Sequence, residues 1–194
     1  MNTTSLVLPL SDLEQIASNI GSRWNMRGAS QSLPDGSFAM DKVFISTSMA
    51  TVTICASLVD VLIGEEPDEV VSITIVDDPV EVRLASTRGR LYFQFKDEIV
   101  HSISIVRDIT RRFVGEKCEW TLIADRGVIF ELESGSLAIC TGGDFTTDFF
   151  ISTSLTGERL EVPDFRNLWE STLEERYETT RHLIPIEDLL PRTS

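Results

Sequence analysis

The 194-residue chain reads as a single α+β domain: one strongly twisted antiparallel β-sheet of about seven to nine strands, with an N-terminal and a C-terminal helix packed on one face. Three observations predict it. The middle of the chain, roughly residues 38–155, is rich in β-branched residues that alternate with polar ones, with turn signals about every ten residues. Residues 11–24 and 164–184 instead carry apolar residues at three- and four-residue spacing. Hydrophobic residues make up 42%, with 10 Phe and 3 Trp, enough apolar surface to drive folding of a core.

The stretch "SDLEQIASNIGSRW" (11–24) predicts the first helix. Ser11 and Glu14 have capping-box spacing, and Leu13, Ile16, Ala17, Ile20 and Trp24 share one face. "GASQSLPDGS" is turn-rich. "FISTSMATVTICASLVDV" follows as strand, "EEPD" breaks the chain, and "EVVSITIVDD" alternates again. "VEVRLAS" after Pro79 reads as another strand, with Val80, Val82 and Leu84 on one face. "TRGR" turns into "LYFQF", and "EIVHSISIV" places Ile99, His101, Ile103 and Ile105 on one side. "DITRRF" fits either a helical turn or a strand end. The segment from "EWTLIADRG" to "FFISTS" reads as strands joined at "DRG" and "ESG". The period then changes. Asp164 can cap a C-terminal helix over 165–181, whose apolar stripe is Phe165, Leu168, Trp169, Leu173 and Tyr177 and which Pro185 ends.

The pentapeptide Phe-Ile-Ser-Thr-Ser occurs twice, at 44–48 and 150–154, each after a Gly-x-Phe-x-x-Asp lead-in. The similarity does not extend on either side. The repeat is therefore expected to mark two similar strand entries rather than a duplicated unit or a catalytic box.

Charge and cysteine usage narrow the function. The net charge is −14, from 31 acids and 17 bases spread along the whole chain. A folded acidic surface repels nucleic acid and anionic membrane and attracts basic proteins. Three widely spaced cysteines, Cys55, Cys118 and Cys140, fit buried reduced thiols in a cytoplasmic protein better than a disulfide framework.

Catalytic and metal-binding patterns are thin. His101 and His182 lie far apart in sequence and no cysteine neighbours another, so neither a metal nor a cofactor is expected. Cys140 precedes "TGGD" but brings no adjacent base, and packing of a small hydrophobe is the expected role. Asp77, Asp78, Asp144 and Asp148 are placed where aspartates bond turn backbone. Arg107, Arg111 and Arg112 are expected to pair with acids of the chain. The candidate partner-binding residues are two acidic groups. Glu170, Glu174 and Glu178, widened by Glu175, form a ridge at four-residue spacing on the C-terminal helix; Glu65, Glu66, Asp68 and Glu69 lie on the "GEEPDE" loop.

The strand-rich "GSLAICTGGDFTTDFFIS" followed by "LWESTLEERYETTRHLIPI" resembles bacterial immunity proteins of polymorphic or contact-dependent toxin systems. The resemblance covers about the last sixty residues. It implies a non-catalytic protein, monomeric or weakly homodimeric, that binds and occludes a cognate toxin domain, for which a basic nuclease would suit the acidic surface. A secretion chaperone or adaptor for an effector protein is the alternative, and an enzyme of unrecognised type the third.

Overall fold

The computed structural model describes residues 2–163 and 174–192. Two sheets, not one, carry the fold. The first has seven strands. Its path runs β12 (Glu175–Pro185), β8 (Val100–Val114), β9 (Lys117–Leu132), β10 (Gly135–Thr141), β11 (Phe149–Leu155), β3 (Phe38–Ala39), and β1 (Asn2–Leu6) adds to β9 in parallel. The second has five strands in the order β6 (Glu66–Val76), β5 (Thr51–Ile63), β4 (Lys42–Thr47), β2 (Trp24–Gly28), β7 (Leu91–Tyr92). All other pairings are antiparallel. The described residues are thus mostly antiparallel β with two α-helices, α1 (Leu10–Ala17) and α2 (Pro79–Thr87), broadly α+β.

Period-two alternation builds the core. Ile103 and Ile105 of β8, Val128 and Phe130 of β9 and Ile139 of β10 point to one side. They meet Val43, Ile45, Val52, Ile54, Ile73 and Ile75 of the second sheet, with Leu13 and Ile16 of α1 closing one end. The alternate residues Val106, Ile129, Ala138 and Cys140 form a second apolar layer on the first sheet's other side, against Leu160 and Val162. The two copies of the repeated pentapeptide lie in different sheets, on β4 and β11. Ile45 and Ile151 enter the same core, so both copies do serve as strand segments.

Several expectations are corrected. The first helix stops at Ala17 rather than Trp24. The chain turns through Gly21 (φ +79°), and Trp24 is buried from β2 instead of a helix face. The Ser11–Glu14 capping box does not form: Pro9 is the N-cap, and the Asp12 carboxylate instead accepts the Ile75 amide at 2.7 Å, fastening the helix start to β6. "VEVRLAS" is helix α2, not a strand. Asp78 caps it by accepting from the Val80 and Glu81 amides at 3.0 Å, and Pro79 sits in its first turn, where a missing N–H costs nothing. Only Leu91 and Tyr92 of "LYFQF" are strand. "DRG" is not a turn. Strand β9 runs through it, and Arg126 is the extra residue of an irregularity that opposes Val106 and Arg107 of β8 to Gly127 and Asp125.

The largest correction concerns the C-terminus. Residues 175–185 form strand β12, paired with β8 over eleven positions, so Glu175, Tyr177 and Glu178 do not lie on a helix. Phe165, Leu168, Trp169, Glu170 and Leu173, the rest of the expected helix, fall outside the described residues.

Candidate binding surface

Strands β5 and β6 form a long hairpin whose far end leaves the main core. The "GEEPDE" segment is its tip rather than a loop: only Gly64 and Glu65 turn, and Glu66–Glu69 belong to β6. One face of this arm carries Val61, Ile63 and Val70. They pack on Trp120 and Leu122 of β9, with Leu6 and Tyr177 at the margin. Trp120 is 5% exposed and supplies the floor. Register explains its neighbours: Asn2, Trp120, Arg112 and Tyr177 are successive partners across β1, β9, β8 and β12, so their side chains rise from one row.

Strand β1 clamps the hairpin onto this row. The Asn2 amide donates to the Gly64 carbonyl at 3.1 Å, and the Thr4 hydroxyl to the Leu62 carbonyl at 2.5 Å. Gly64 is required twice over. Its φ is +71°, and a Cβ there would stand 3.0 Å from Trp120 Cδ1.

The result is an acidic recess beside an aromatic floor. A cavity of about 340 Å³ is bordered by Glu66, Asp68, Glu175, Arg112, Trp120 and Tyr177. A neighbouring one of about 210 Å³ adds Glu65 and Glu119. Five carboxylates thus surround one guanidinium. Arg112 donates to Glu175 through both Nη2 (2.5 Å) and Nε (3.2 Å), and the Tyr177 hydroxyl donates to the same carboxylate at 3.1 Å. The hydrogen bond from Arg112 holds the Glu175 carboxyl below its ordinary range, and the one to Glu175 raises the Arg112 guanidinium. Burial, then the bond to Glu175, pushes the Tyr177 phenol up. Glu119 pairs with Lys117 at 2.9 Å at the exposed rim.

Of the eight candidate acids, the fold therefore brings Glu65, Glu66, Asp68 and Glu175 together. Glu69 projects from the opposite face of the hairpin, where it is the register partner of Asp60. Glu178 alternates to the other side of β12 from Glu175 and pairs with Arg176 at 3.1 Å, so it does not join the recess, and it lies on a strand rather than on the expected helical ridge. Glu174 precedes β12, and its carbonyl accepts from the Gly115 amide at 3.4 Å. Glu170 lies outside the described residues. Sequence reasoning missed Trp120, Tyr177 and Arg112 as members of the site. The alternation of Trp120 with Leu122 was visible, but their place opposite Ile63 depends on non-local packing.

The remaining charged residues are mostly built into the frame. Arg107 forms a two-pronged pair with Asp125 (2.6 and 3.0 Å), whose carboxylate also accepts the Leu8 amide at 2.8 Å. Arg181 forms another with Asp108 (2.8 and 2.7 Å). Arg126, 1% exposed, donates to Asp144 and, at 2.7 Å, to the Val71 carbonyl. Asp78 pairs with Lys42 at 2.8 Å, and Asp148 accepts from Thr146 at 3.0 Å. The expected internal pairing holds for Arg107 and Arg112.

His101, read from the sequence as a core or edge residue, is exposed at the irregularity between Val100 and Ser102, and His182, read as lying near a helix end, is exposed in mid-strand. Among the described residues no three His, Cys, Asp or Glu side chains cluster as a metal site. All three cysteines are unpaired. Cys140 is buried, and burial pushes its thiol up to about 12, which keeps it protonated and unreactive at neutral pH. Cys55 and Cys118 are half-buried rather than buried. No helix among the described residues is long and apolar enough to cross a membrane. Comparisons with known protein families, with curated proteins and with solved structures each return no match.

Proposed function

We propose that the protein is a non-catalytic binding protein that engages a basic protein partner through the acidic end of the β5–β6 hairpin, in the manner of an immunity protein occluding a toxin domain. The observation that supports this reading is the convergence of two acidic segments distant in sequence. Residues 65–68 and Glu175 border two adjoining cavities in which Glu175 pairs with Arg112 and Glu119 with Lys117, leaving Glu65, Glu66 and Asp68 as surplus negative charge. The surplus negative charge is set on a packed, β1-clamped hairpin, so it is presented without a large ordering cost. Such a surface accelerates association with a cationic face and discriminates against anionic ones.

The test is capture and kinetics. Full-length protein used as bait in a lysate of its native cell is expected to retain a basic protein in one-to-one ratio. Raising salt from about 0.05 to 0.5 M should slow their association, because the screening length shrinks several-fold. Glu65→Lys, Glu66→Lys and Asp68→Lys together should keep the fold, since exposed charges contribute little to stability, and should slow association by an order of magnitude or more. Recovery of no basic partner, or an unchanged rate for the triple variant, would defeat the proposal. A secretion chaperone or adaptor is the second reading, favoured by the exposed Leu58 and Leu62 on the same hairpin. It requires a partner bound in extended, unfolded form, which limited proteolysis of the complex distinguishes.

A further inference from the structure

The hairpin has a second face, which meets the recess only at Pro67. Past Ala56 and Ile73, both buried, its cross-strand pairs are Leu58 with Val71, Asp60 with Glu69, and Leu62 with Pro67. Leu58 is 45% and Leu62 65% exposed, and Asp60, Pro67 and Glu69 are exposed with them. The face is therefore apolar, acidic and apolar in three successive rows.

Two features of these rows are costly to the isolated chain. Directly opposed residues on antiparallel strands stand about 5 Å apart at Cβ, and like charges there are destabilising. Asp60 and Glu69 are such a pair, and neither carboxylate has a cationic partner among the described residues. Leaving Leu58 and Leu62 in water forgoes their burial. A ligand with one cation between two apolar groups removes both costs together.

We infer that this face docks an amphipathic helix of a protein partner that carries a Lys or Arg flanked by apolar residues one helical turn to either side. This rests on the proposal that the partner is a basic protein, and it names the surface and the element recognised. The dimensions agree. Rows two residues apart along a strand are about 6.7 Å apart, so Leu58 and Leu62 are separated by about 13 Å. On a helix, positions i, i+4 and i+8 lie about 6 Å apart along the axis, so an apolar-cation-apolar stripe at that spacing matches the three rows. Edge-on strand addition is disfavoured. Pro67 has no amide hydrogen to donate, and Glu66, Asp68 and Glu69 charge this stretch of β6. Further along, the β6 edge is occupied, since the Val71 amide donates to the Asp144 carbonyl at 2.8 Å and the Ile75 amide to Asp12. A helix laid on the face needs none of those groups.

The probe is a side-chain-stapled helical peptide of about eighteen residues, with Leu at i and i+8 and Lys at i+4 on an alanine and glutamine background. It is titrated into the full-length, isotope-labelled protein and followed by amide chemical shifts. The expected shifts centre on Leu58, Asp60, Leu62 and Glu69. Asp60→Asn with Glu69→Gln should weaken binding by about tenfold and raise the urea midpoint of the free protein, since a repulsion is lost along with the site. Leu62→Ser should weaken binding comparably, whereas Glu65→Gln with Glu66→Gln should change it by less than about threefold. The inference is overturned by no saturable binding, by equal binding of a peptide whose two leucines are serines, or by shifts centred on the recess. A fall in the urea midpoint of the Asp60→Asn, Glu69→Gln variant also overturns it. Failure of the two readings is separable. A basic protein captured equally by wild type and by this double variant removes the docking face and leaves the acidic recess, while capture of no basic protein removes the underlying proposal.

Discussion

Replacing Arg126 with Met tests how the hairpin is held to the first sheet. Arg126 bridges the two sheets: it ion-pairs with Asp144, itself 9% exposed, and donates to the carbonyl of Val71 at 2.7 Å, while the Val71 amide donates to the Asp144 carbonyl at 2.8 Å. Val71 is where the exposed arm of β6 leaves the core, so this triangle sets the arm's direction. Removing one partner of a buried pair costs about 3–5 kcal/mol, because a desolvated charge is left behind. The orphaned Val71 carbonyl contributes about 1–3 kcal/mol of overlapping rather than additional cost. One term offsets this. The Arg126 Nε is itself buried with no hydrogen-bond partner, and burial pulls the guanidinium's pKa down, so the wild-type residue already carries a desolvation cost that Met relieves. The net expectation is a loss near the bottom of the range, about 3 kcal/mol, read as a lower urea midpoint at unchanged slope. Adding Asp144→Asn removes the charge that Arg126 neutralised and should recover half or more of the loss. Amides of residues 59–70 should exchange faster in the single variant than those of β8 and β9. A loss under about 1 kcal/mol, or no recovery in the double variant, would refute the claim that the loss arises from burying the Asp144 charge without Arg126.

Two further outcomes follow from the same packing. The Cys140 thiol has its folded pKa raised from 9.0 to about 12 by burial. Its contribution is fully present below the unfolded value and lost as pH rises toward the folded one. At pH 10 the wild type should therefore have lost about 1.4 kcal/mol relative to pH 8, beyond whatever Cys140→Ala loses over the same interval; parallel profiles for the two proteins would contradict this. Gly127→Ala should cost about 3 kcal/mol or more, since its Cβ would lie 2.3 Å from the Ile139 carbonyl oxygen and 2.6 Å from Cys140 Sγ. A melting temperature within about 2 °C of wild type would show that the β9–β10 contact can relax.

Legibility in the sequence followed locality. Strands that pair with their sequence neighbour were recognisable in part: β5 with β6 from alternation and the break near Gly64, and β9 with β10 from the turn at "ESG", whereas "DITRRF" left the end of β8 open and "DRG" reads as a turn where β9 continues. The error at 79–87 arose because Val80, Val82 and Leu84 also fit a strand. The stronger signal was local and available: Asp78 at a capping position followed by Pro79 is a helix start. The error at 175–185 is of another kind. Glu170, Glu174 and Glu178 carry helical spacing and good helix propensity, yet eleven register pairs with β8 outweigh a preference worth a few tenths of a kcal/mol per residue. The same segment also alternates, with Tyr177 and Thr179 partly covered and Glu178 and Thr180 exposed, and that period was the one the fold used.

What the sequence by itself determined is the β-rich character, the apolar alternation that fills the core, the unpaired cysteines and an acidic charge too evenly spread to be a tail. These depend on composition and on contacts between near neighbours. The tertiary structure alone decided that the strands divide into two sheets, that β1 reaches across the chain to pair with β9, and that Glu175 stands beside Glu66 and Asp68 over Trp120. Those arrangements bring together residues some fifty to more than a hundred positions apart. Alternation states which side of a strand is apolar but not which distant strand will cover it, and that choice is made by packing of the whole chain.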